Sequence, residues 1–364
     1  MPAHPDPALR ARCTRFLSGH GPADARLWVE RLAGSPDLGL GLDEYGEGPA
    51  VARLEAEVAA LLGKEAALFF PKGVVAQQAA LLAHAGRSGR RIVAVHPKSH
   101  LAFDEDDALD RLAGLPMLRL GPDHRPFTAA ELAAVAEPLA AVSVELPLRR
   151  AAFQAPAWDE LAAIAATARA RGVPLHLDGA RLWEVQPWYG RPLAEIAALA
   201  DTVYVSFYKG LGGMGGCVLA GPKDVMEAAK VWRGRFGGNF YTAFPYVLTA
   251  LDGLRRHLPR MAAYHAHAVS LAGAIGGVAG VRVLPAPPQG NAFQVHLPAA
   301  MPALQAAAAA LAESRGWWLF NRFGETAFPD TAFGEVSVGE ASLGWSPAEA
   351  AAALAELLER ARTL

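Results

Sequence analysis

The sequence predicts an α/β protein: a mostly parallel sheet covered by helices, followed by a smaller α+β C-terminal domain. Three observations carry this. Short apolar runs alternate with segments of helical spacing from about residue 66 to 221, the rhythm of strand–helix–strand crossovers. The rhythm then changes: 222–275 reads as mainly helical, and 281–364 mixes short strands with helices. Finally, 364 residues with 52% hydrophobic content suffice for about two domains at roughly 150 residues each.

Taken in order, residues 1–45 form an N-terminal arm, 46–255 a large domain and 256–364 a small C-terminal domain. The arm is irregular and too sparse in core residues to fold alone, so it is expected to pack on the main domain or on a partner subunit. Val51, Leu54, Val58 and Leu61 share one face of a helix over 50–62, which Gly63 closes. Residues 66–70 are a buried strand, 73–85 a helix, and 91–95 and 117–120 strands. Thr128 is placed to cap a helix over 129–137. A strand over 141–146 leads to a helix over 157–171, and a strand over 174–177 ends at Asp178. In the strand 201–208, Val203 and Val205 alternate around Tyr204 and Ser206. A Gly-rich turn precedes a strand over 217–220. The last domain should hold strands at 281–284, 292–297 and 335–338 and helices at 301–314 and 347–362. Trp183, Trp188 and Tyr189 read as core aromatics under a loop over 181–192.

Composition excludes several function classes. Lys plus Arg number 34 and Asp plus Glu 36, a net charge of −2, which gives no reason to expect nucleic acid or an anionic membrane as partner. The longest weakly apolar run, 269–281, is shorter than the ~18–20 residues of a spanning helix. The start, MPAHPDPALRARC, has no apolar leader core, so a cytoplasmic protein is expected. Two cysteines, Cys13 and Cys217, exclude a disulfide scaffold and a multi-cysteine zinc module. His96 and His100 are four apart, but Pro97 lies between them and no HExxH glutamate is present, so no metal is expected. What is left is an enzyme or a small-molecule binder.

Two segments carry chemistry. In His176-Leu177-Asp178-Gly179-Ala180-Arg181, a carboxylate stands where a buried strand ends, with an arginine three residues on. A buried carboxylate needs a partner. A helix-capping Asp178 ion-paired to Arg181 would satisfy that as well as a functional site would. In Ser206-Phe207-Tyr208-Lys209-Gly210-Leu211-Gly212-Gly213, a lysine follows an apolar strand and precedes glycines that let the backbone approach something closely. A desolvated lysine has a lowered pKa and forms Schiff bases. Asp178 and Lys209 are about one strand–helix–strand unit apart, which puts both at the carboxyl ends of strands in one sheet. Pyridoxal phosphate chemistry requires this pair: an amine to hold the aldehyde as an imine and a carboxylate to keep the ring nitrogen protonated. Two rival motifs fail on context. Gly210-x-Gly212-x-x-Gly215 has the letters of a dinucleotide fingerprint but leads into a strand. Ser206-x-x-Lys209 lacks the SDN and KTG companions of serine acyl transferases.

HLDGARLWE and SFYKGLGG, with DEYGEGP at 43–49 and GKEAALFFP at 63–71, resemble the L-threonine aldolase and β-eliminating lyase family of fold-type-I pyridoxal-phosphate enzymes. The resemblance runs from about 43 to 265. It implies that Lys209 holds the cofactor and moves a proton at Cα, and that Asp178 pairs with the pyridine nitrogen. It also implies that Arg181 bonds the ring hydroxyl and that His100 stacks on the ring. Gly73 and Val74 would offer backbone N–H groups to the cofactor phosphate at a helix start. Ser206 joins the cofactor-binding set, as does Arg235, which with Arg233 aligns with a segment that reaches the phosphate, sometimes across subunits.

The same resemblance implies Cα–Cβ cleavage of a β-hydroxy-α-amino acid of threonine or phenylserine type, giving glycine and an aldehyde, in a homodimer or homotetramer. Departures keep other readings open: β-elimination, transamination, or a pyridoxal-phosphate-binding protein without activity. Lys72-Gly73-Val74 stands for the family's Ser-Gly-Thr, and Tyr208 for a frequent serine. Leu148 replaces an active-site histidine. Glu335 stands where a carboxylate-binding arginine is expected, with Arg322 the nearest alternative. Ser18 and His20 fall where the family has a site-lining Ser-Asp-Thr stretch.

Overall fold

The computed structural model describes residues 6–363. Two compact units divide them: Ala25–Pro259 is one, and the segment ending at Asp24 joins everything from Arg260 onward in the other. The expected boundaries at 45 and 255 therefore differ from those observed. Residues 25–33 form a helix that packs against Phe244–Arg256. The preceding segment is drawn to the C-terminal unit by main-chain pairing that no hydrophobic pattern announces.

The large unit is built on seven strands: Ala66–Phe70 (β1), Ile92–Val95 (β2), Met117–Arg119 (β3), Leu139–Glu145 (β4), Leu175–Gly179 (β5), Thr202–Ser206 (β6) and Cys217–Gly221 (β7). Their order is β1-β7-β6-β5-β4-β2-β3. β7 runs antiparallel to both its neighbours, and every other pairing is parallel. All residues of β4, β5, β6 and β7 are buried. Strands covered on both faces read as continuous apolar runs, which is why they were visible in the sequence. The covering helices include Pro49–Leu62 (α1), Gly73–Ser88 (α2), Trp158–Ala170 (α3), Leu182–Tyr189 (α4), Lys223–Arg235 (α5) and Phe244–Arg256 (α6). Gly63 ends α1 at φ 59°, a left-handed cap that suits glycine.

Two expectations differ in detail. Thr128 does cap a helix through a capping box with Glu131, but that helix is only Ala129–Ala133. Pro138 then biases the chain toward extended backbone, and β4 begins at Leu139. The expected loop over 181–192 holds α4, despite Pro187 inside it. A proline inside a helix costs a main-chain hydrogen bond, but Leu182, Trp183 and Val185 are all fully buried on this one.

In the C-terminal unit, Arg282–Leu284 (β8), Ala292–Leu297 (β9), Phe323–Glu325 (β10) and Ala332–Ser337 (β11) form an antiparallel sheet in the order β10-β11-β9-β8. Helices Met261–Gly276 (α7), Met301–Arg315 (α8) and Pro347–Arg362 (α9) accompany it. Arg15–Phe16 pairs in parallel with Trp317–Trp318, and Gly19 bridges to Val338. Leu9, Cys13, Phe16, Ala312 and Trp318 close a small core beneath this pairing. No helix among the described residues is long and apolar enough to cross a membrane.

Candidate active site

The carboxyl ends of three adjacent parallel strands define the site. Glu145 of β4, Asp178 of β5 and Tyr204 of β6 are side by side in the ladder. Lys209 follows three residues after β6 ends. Asp178, Lys209, His100, Gly73 and Val74 line one recess, together with Lys72, Gln77, Glu105, Ala180, Tyr204 and Tyr208. Five of the residues marked by the sequence are thus brought together.

Asp178 is buried at 2% exposure, and its carboxylate accepts from Gln77 Nε2 on one oxygen and from the Ala180 N–H at 3.2 Å on the other. Lys209 has its pKa pulled down to about 8 by burial and by the Arg181 guanidinium, against the opposing pull of Asp178, Glu145 and Glu184. That lowers the cost of presenting a neutral amine near neutral pH. His100 opens a short helix, and its Nδ1 lies 2.8 Å from Glu105 Oε1. Burial pulls the imidazole pKa down, but the Glu105 bond and the Asp178 charge outweigh it, and the net direction is up.

Gly73 starts α2, and Lys72 at its N-cap gives no side-chain cap to the free N–H groups. A helix start of this kind attracts an anion. Gly73 has no room for a side chain, because a Cβ there would strike the Tyr204 hydroxyl. The glycines after Lys209 serve a different partner from the nucleotide that their letters suggested. They close a hairpin between the antiparallel strands β6 and β7. A Cβ at Gly210 would collide with the Glu184 carboxylate, which instead accepts the Gly210 N–H at 2.9 Å.

Ser206 and Arg235 do not reach the recess. The Ser206 hydroxyl donates to the Ala180 carbonyl at 2.7 Å, a buried tie between β6 and the turn after β5. Arg235 is exposed at the end of α5, with its guanidinium 4.4 Å from the Trp232 ring centroid. Its neighbour Arg233 is the buried one, donating to the Phe69 carbonyl at 2.7 Å. Arg181 is half-buried beside the recess, with its guanidinium 5.4 Å from the Phe153 ring. Leu148 is buried and brings no polar group. Arg150 pairs with Asp104, and the Arg149 N–H donates to Glu145 at 3.1 Å.

In the C-terminal unit, Glu335 of β11 and Arg322 face each other at 3.7 Å. The acid found at the expected arginine position and the nearest alternative arginine are therefore ion-paired. Ser18 exchanges hydrogen bonds with the Ser337 backbone, and His20 Nδ1 accepts the Glu340 N–H at 3.2 Å.

Three buried groups escaped the sequence reading. Glu145 accepts the His100 N–H at 2.6 Å, and burial and the Asp178 charge push its pKa well up. Glu184 is also pushed up by burial, and one of its oxygens has no partner among the described residues. Gln77 is four residues after Gly73, one turn along the same helix face, and that spacing was the available signal for it. No cluster of metal-ligating side chains occurs among the described residues.

The profile of the beta-eliminating lyase family matches residues 36–298. A structure from Listeria monocytogenes EGD-E, provisionally described as an L-allo-threonine aldolase, superposes with a TM-score of 0.90 at 36% identity over 98% of both chains. One from Exiguobacterium sp. 255-15, provisionally described as an aromatic amino acid beta-eliminating lyase/threonine aldolase, gives 0.90 at 34% identity, covering 97% of this chain and 99% of that one. Low-specificity L-threonine aldolase 1 of Arabidopsis thaliana is 28% identical over 251 residues, 66% of this chain and 70% of the relative.

Proposed function

The chain belongs to the beta-eliminating lyase family, and on that premise we propose that it uses pyridoxal 5′-phosphate to cleave Cα–Cβ of a β-hydroxy-α-amino acid, of threonine or phenylserine type, to glycine and an aldehyde. The observation that carries the reading is the meeting of Lys209 and Asp178 in one recess at the carboxyl ends of the sheet. The donor set fits the cofactor group by group. Lys209 suits its aldehyde, Asp178 its pyridine nitrogen, and His100 and Arg181 its ring and ring hydroxyl. The Gly73 and Val74 N–H groups at the start of α2 suit its phosphate. When bound, the cofactor supplies a carbonyl for the substrate amine and an electron sink for the charge left at Cα.

The protein's own groups divide the remaining work. Lys209, once it carries a proton as the ammonium, is made a readier acid by burial and Arg181 and delivers that proton to Cα of the departing glycine. The substrate β-hydroxyl must lose its proton, and Leu148 offers no base. His100, oriented by Glu105, is the imidazole at the recess and takes that proton. Leu148 also favours one second reading, β-elimination, which needs no base on that hydroxyl; its products are ammonia and a keto acid instead of glycine.

We read the enzyme as cytoplasmic and as a homodimer or homotetramer. Leu42, Tyr45, Val231, Phe240 and Tyr241 are large apolar side chains left exposed on the unit that carries the site. Arg235, exposed and outside its own chain's recess, would serve a neighbouring copy. Sedimentation would return a monomer if this is wrong.

The deciding experiment mixes purified protein with pyridoxal phosphate, desalts it and records the visible spectrum, beside Lys209→Ala. A yellow wild type fixed by borohydride, with a colourless variant, is expected. A colourless wild type overturns the cofactor and lysine assignments together. Glycine release from phenylserine then separates cleavage from elimination.

A further inference from the structure

Five buried side chains of the large unit form one continuous chain of hydrogen bonds. His84 Nε2 lies 2.9 Å from Thr202 Oγ1, which lies 2.8 Å from His176 Nδ1. His176 Nε2 lies 2.6 Å from Gln77 Oε1, and Gln77 Nε2 donates to Asp178. None of the five is more than 4% exposed. Periodicity assembles them. Gln77 and His84 are two turns apart on one face of α2, and His176 and Asp178 are two residues apart on one face of β5. Thr202 stands opposite His176 in the ladder. The chain begins at a cavity of about 370 Å³ at the amino ends of β5 and β6, which His84 lines with Arg87, Arg169 and Asp201. It ends at the recess.

The protons in this chain can be assigned by chemistry. An ionised carboxylate only accepts, so the Gln77 amide nitrogen faces Asp178 and its oxygen faces His176. That oxygen only accepts, so His176 carries its proton on Nε2. Burial holds the His176 pKa down at about 3, so the ring is neutral and Nδ1 must accept. Thr202 supplies that proton and is left with lone pairs toward His84, which must therefore donate from Nε2. We propose that His84, Thr202, His176 and Gln77 form a one-way donor chain, every proton pointing toward Asp178, and that they are positioning residues for that carboxylate. The inference rests on the role given to Asp178 above. The chain holds the carboxylate in one orientation at the recess, where it would meet the ring nitrogen.

The first arm of the test uses the protein without cofactor. Imidazole ¹⁵N spectra around neutral pH should show His176 and His84 neutral with the proton on Nε2. An Nδ1–H tautomer or an imidazolium at His176 overturns the chain as drawn. The second arm titrates pyridoxal phosphate by fluorescence and follows the ring nitrogen of ¹⁵N-labelled cofactor. Gln77→Leu should weaken binding about tenfold, the effect of one charge-assisted hydrogen bond, and shift the ring-nitrogen signal toward the unprotonated form. Thr202→Val, which touches neither cofactor nor Asp178, should shift the signal in the same direction, and Thr202→Ser should restore it. Wild-type affinity and an unmoved ring-nitrogen signal in both Gln77→Leu and Thr202→Val would reduce the chain to scaffolding and end the proposal. Failure of wild-type protein to take up cofactor sinks the proposed function and the chain's role together, whereas the tautomers alone report the direction of the chain.

Discussion

The two units handle charge in opposite ways. In the large unit, Glu145, Glu184 and Asp178 are buried within reach of a half-buried Lys209, and desolvation moves both glutamates and the lysine toward their neutral forms. In the C-terminal unit, the acids and bases meet at the surface: Arg260 with Glu340 at 2.8 Å, Arg360 with Glu356 at 2.7 Å, Arg15 with Glu349 at 3.2 Å. Pairs of the second kind are worth about 0–1 kcal/mol because water and salt screen them. Groups of the first kind are costly to bury and are kept where chemistry uses them. The contrast marks the candidate site by the charges that the fold keeps away from water.

That contrast can be broken by mutation. Asp178→Asn should lower kcat/KM for glycine formation by roughly 10²–10³-fold, the loss seen when a charge-stabilising group is removed; retention of near-wild-type turnover would remove Asp178 from the site. Arg181→Gln removes the largest charge that depresses Lys209. The lysine pKa should then rise, and the pH at which added pyridoxal phosphate is captured should move upward with it; a downward shift would contradict the assigned electrostatics.

Acid sensitivity sharpens the same comparison. His84 and His176 have folded pKa values of about 4 and about 3 against 6.5 for an ordinary imidazole. Above 6.5 both are neutral whether folded or unfolded, so their full contribution is present. As pH falls from 6.5 toward those folded values, the unfolded chain binds protons that the folded one refuses. Each then removes up to about 1.4 kcal/mol per pH unit. Urea midpoints across that range should fall steeply in wild type and less steeply in His84→Gln. The smallest effect belongs to the surface: Arg360→Ala breaks an i,i+4 pair with Glu356 and should cost about 0.3–0.5 kcal/mol by the same melts. A loss comparable to a core mutation would mean that the C-terminal unit also hides a tuned charge.

The strands and the Asp178–Lys209 pair were legible because each is written locally: an apolar run, then a charge at its end. The partners of that pair were not. Gln77 reaches Asp178 across 101 residues of chain, and Glu184 meets Gly210 across 26. Such meetings are decided by which strand lies beside which, an order that periodicity does not specify. Ser206 sits next to the site in sequence, yet β6 turns its hydroxyl toward Ala180. Arg233 and Arg235 looked interchangeable two residues apart, and the rotation of α5 buries one and exposes the other. The residues before Ala25 belong with the C-terminal unit through backbone pairing of Arg15–Phe16 with Trp317–Trp318, which side-chain patterning does not encode.

The reversed strand β7 has a consequence for how the chain is made. It sits between β1 and β6, so β1, complete at Phe70, has a single sheet neighbour among the described residues, at Cys217–Gly221. During synthesis at about 5–20 residues per second, the AALFF edge waits for some 150 further residues before it is covered. The residues at Arg15–Phe16 wait longer still, for Trp317–Trp318. Late-closing apolar edges are where nascent chains aggregate or recruit chaperones. A ribosome stalled before Cys217 should therefore display a sticky, protease-sensitive first strand, and release beyond Gly221 should silence it.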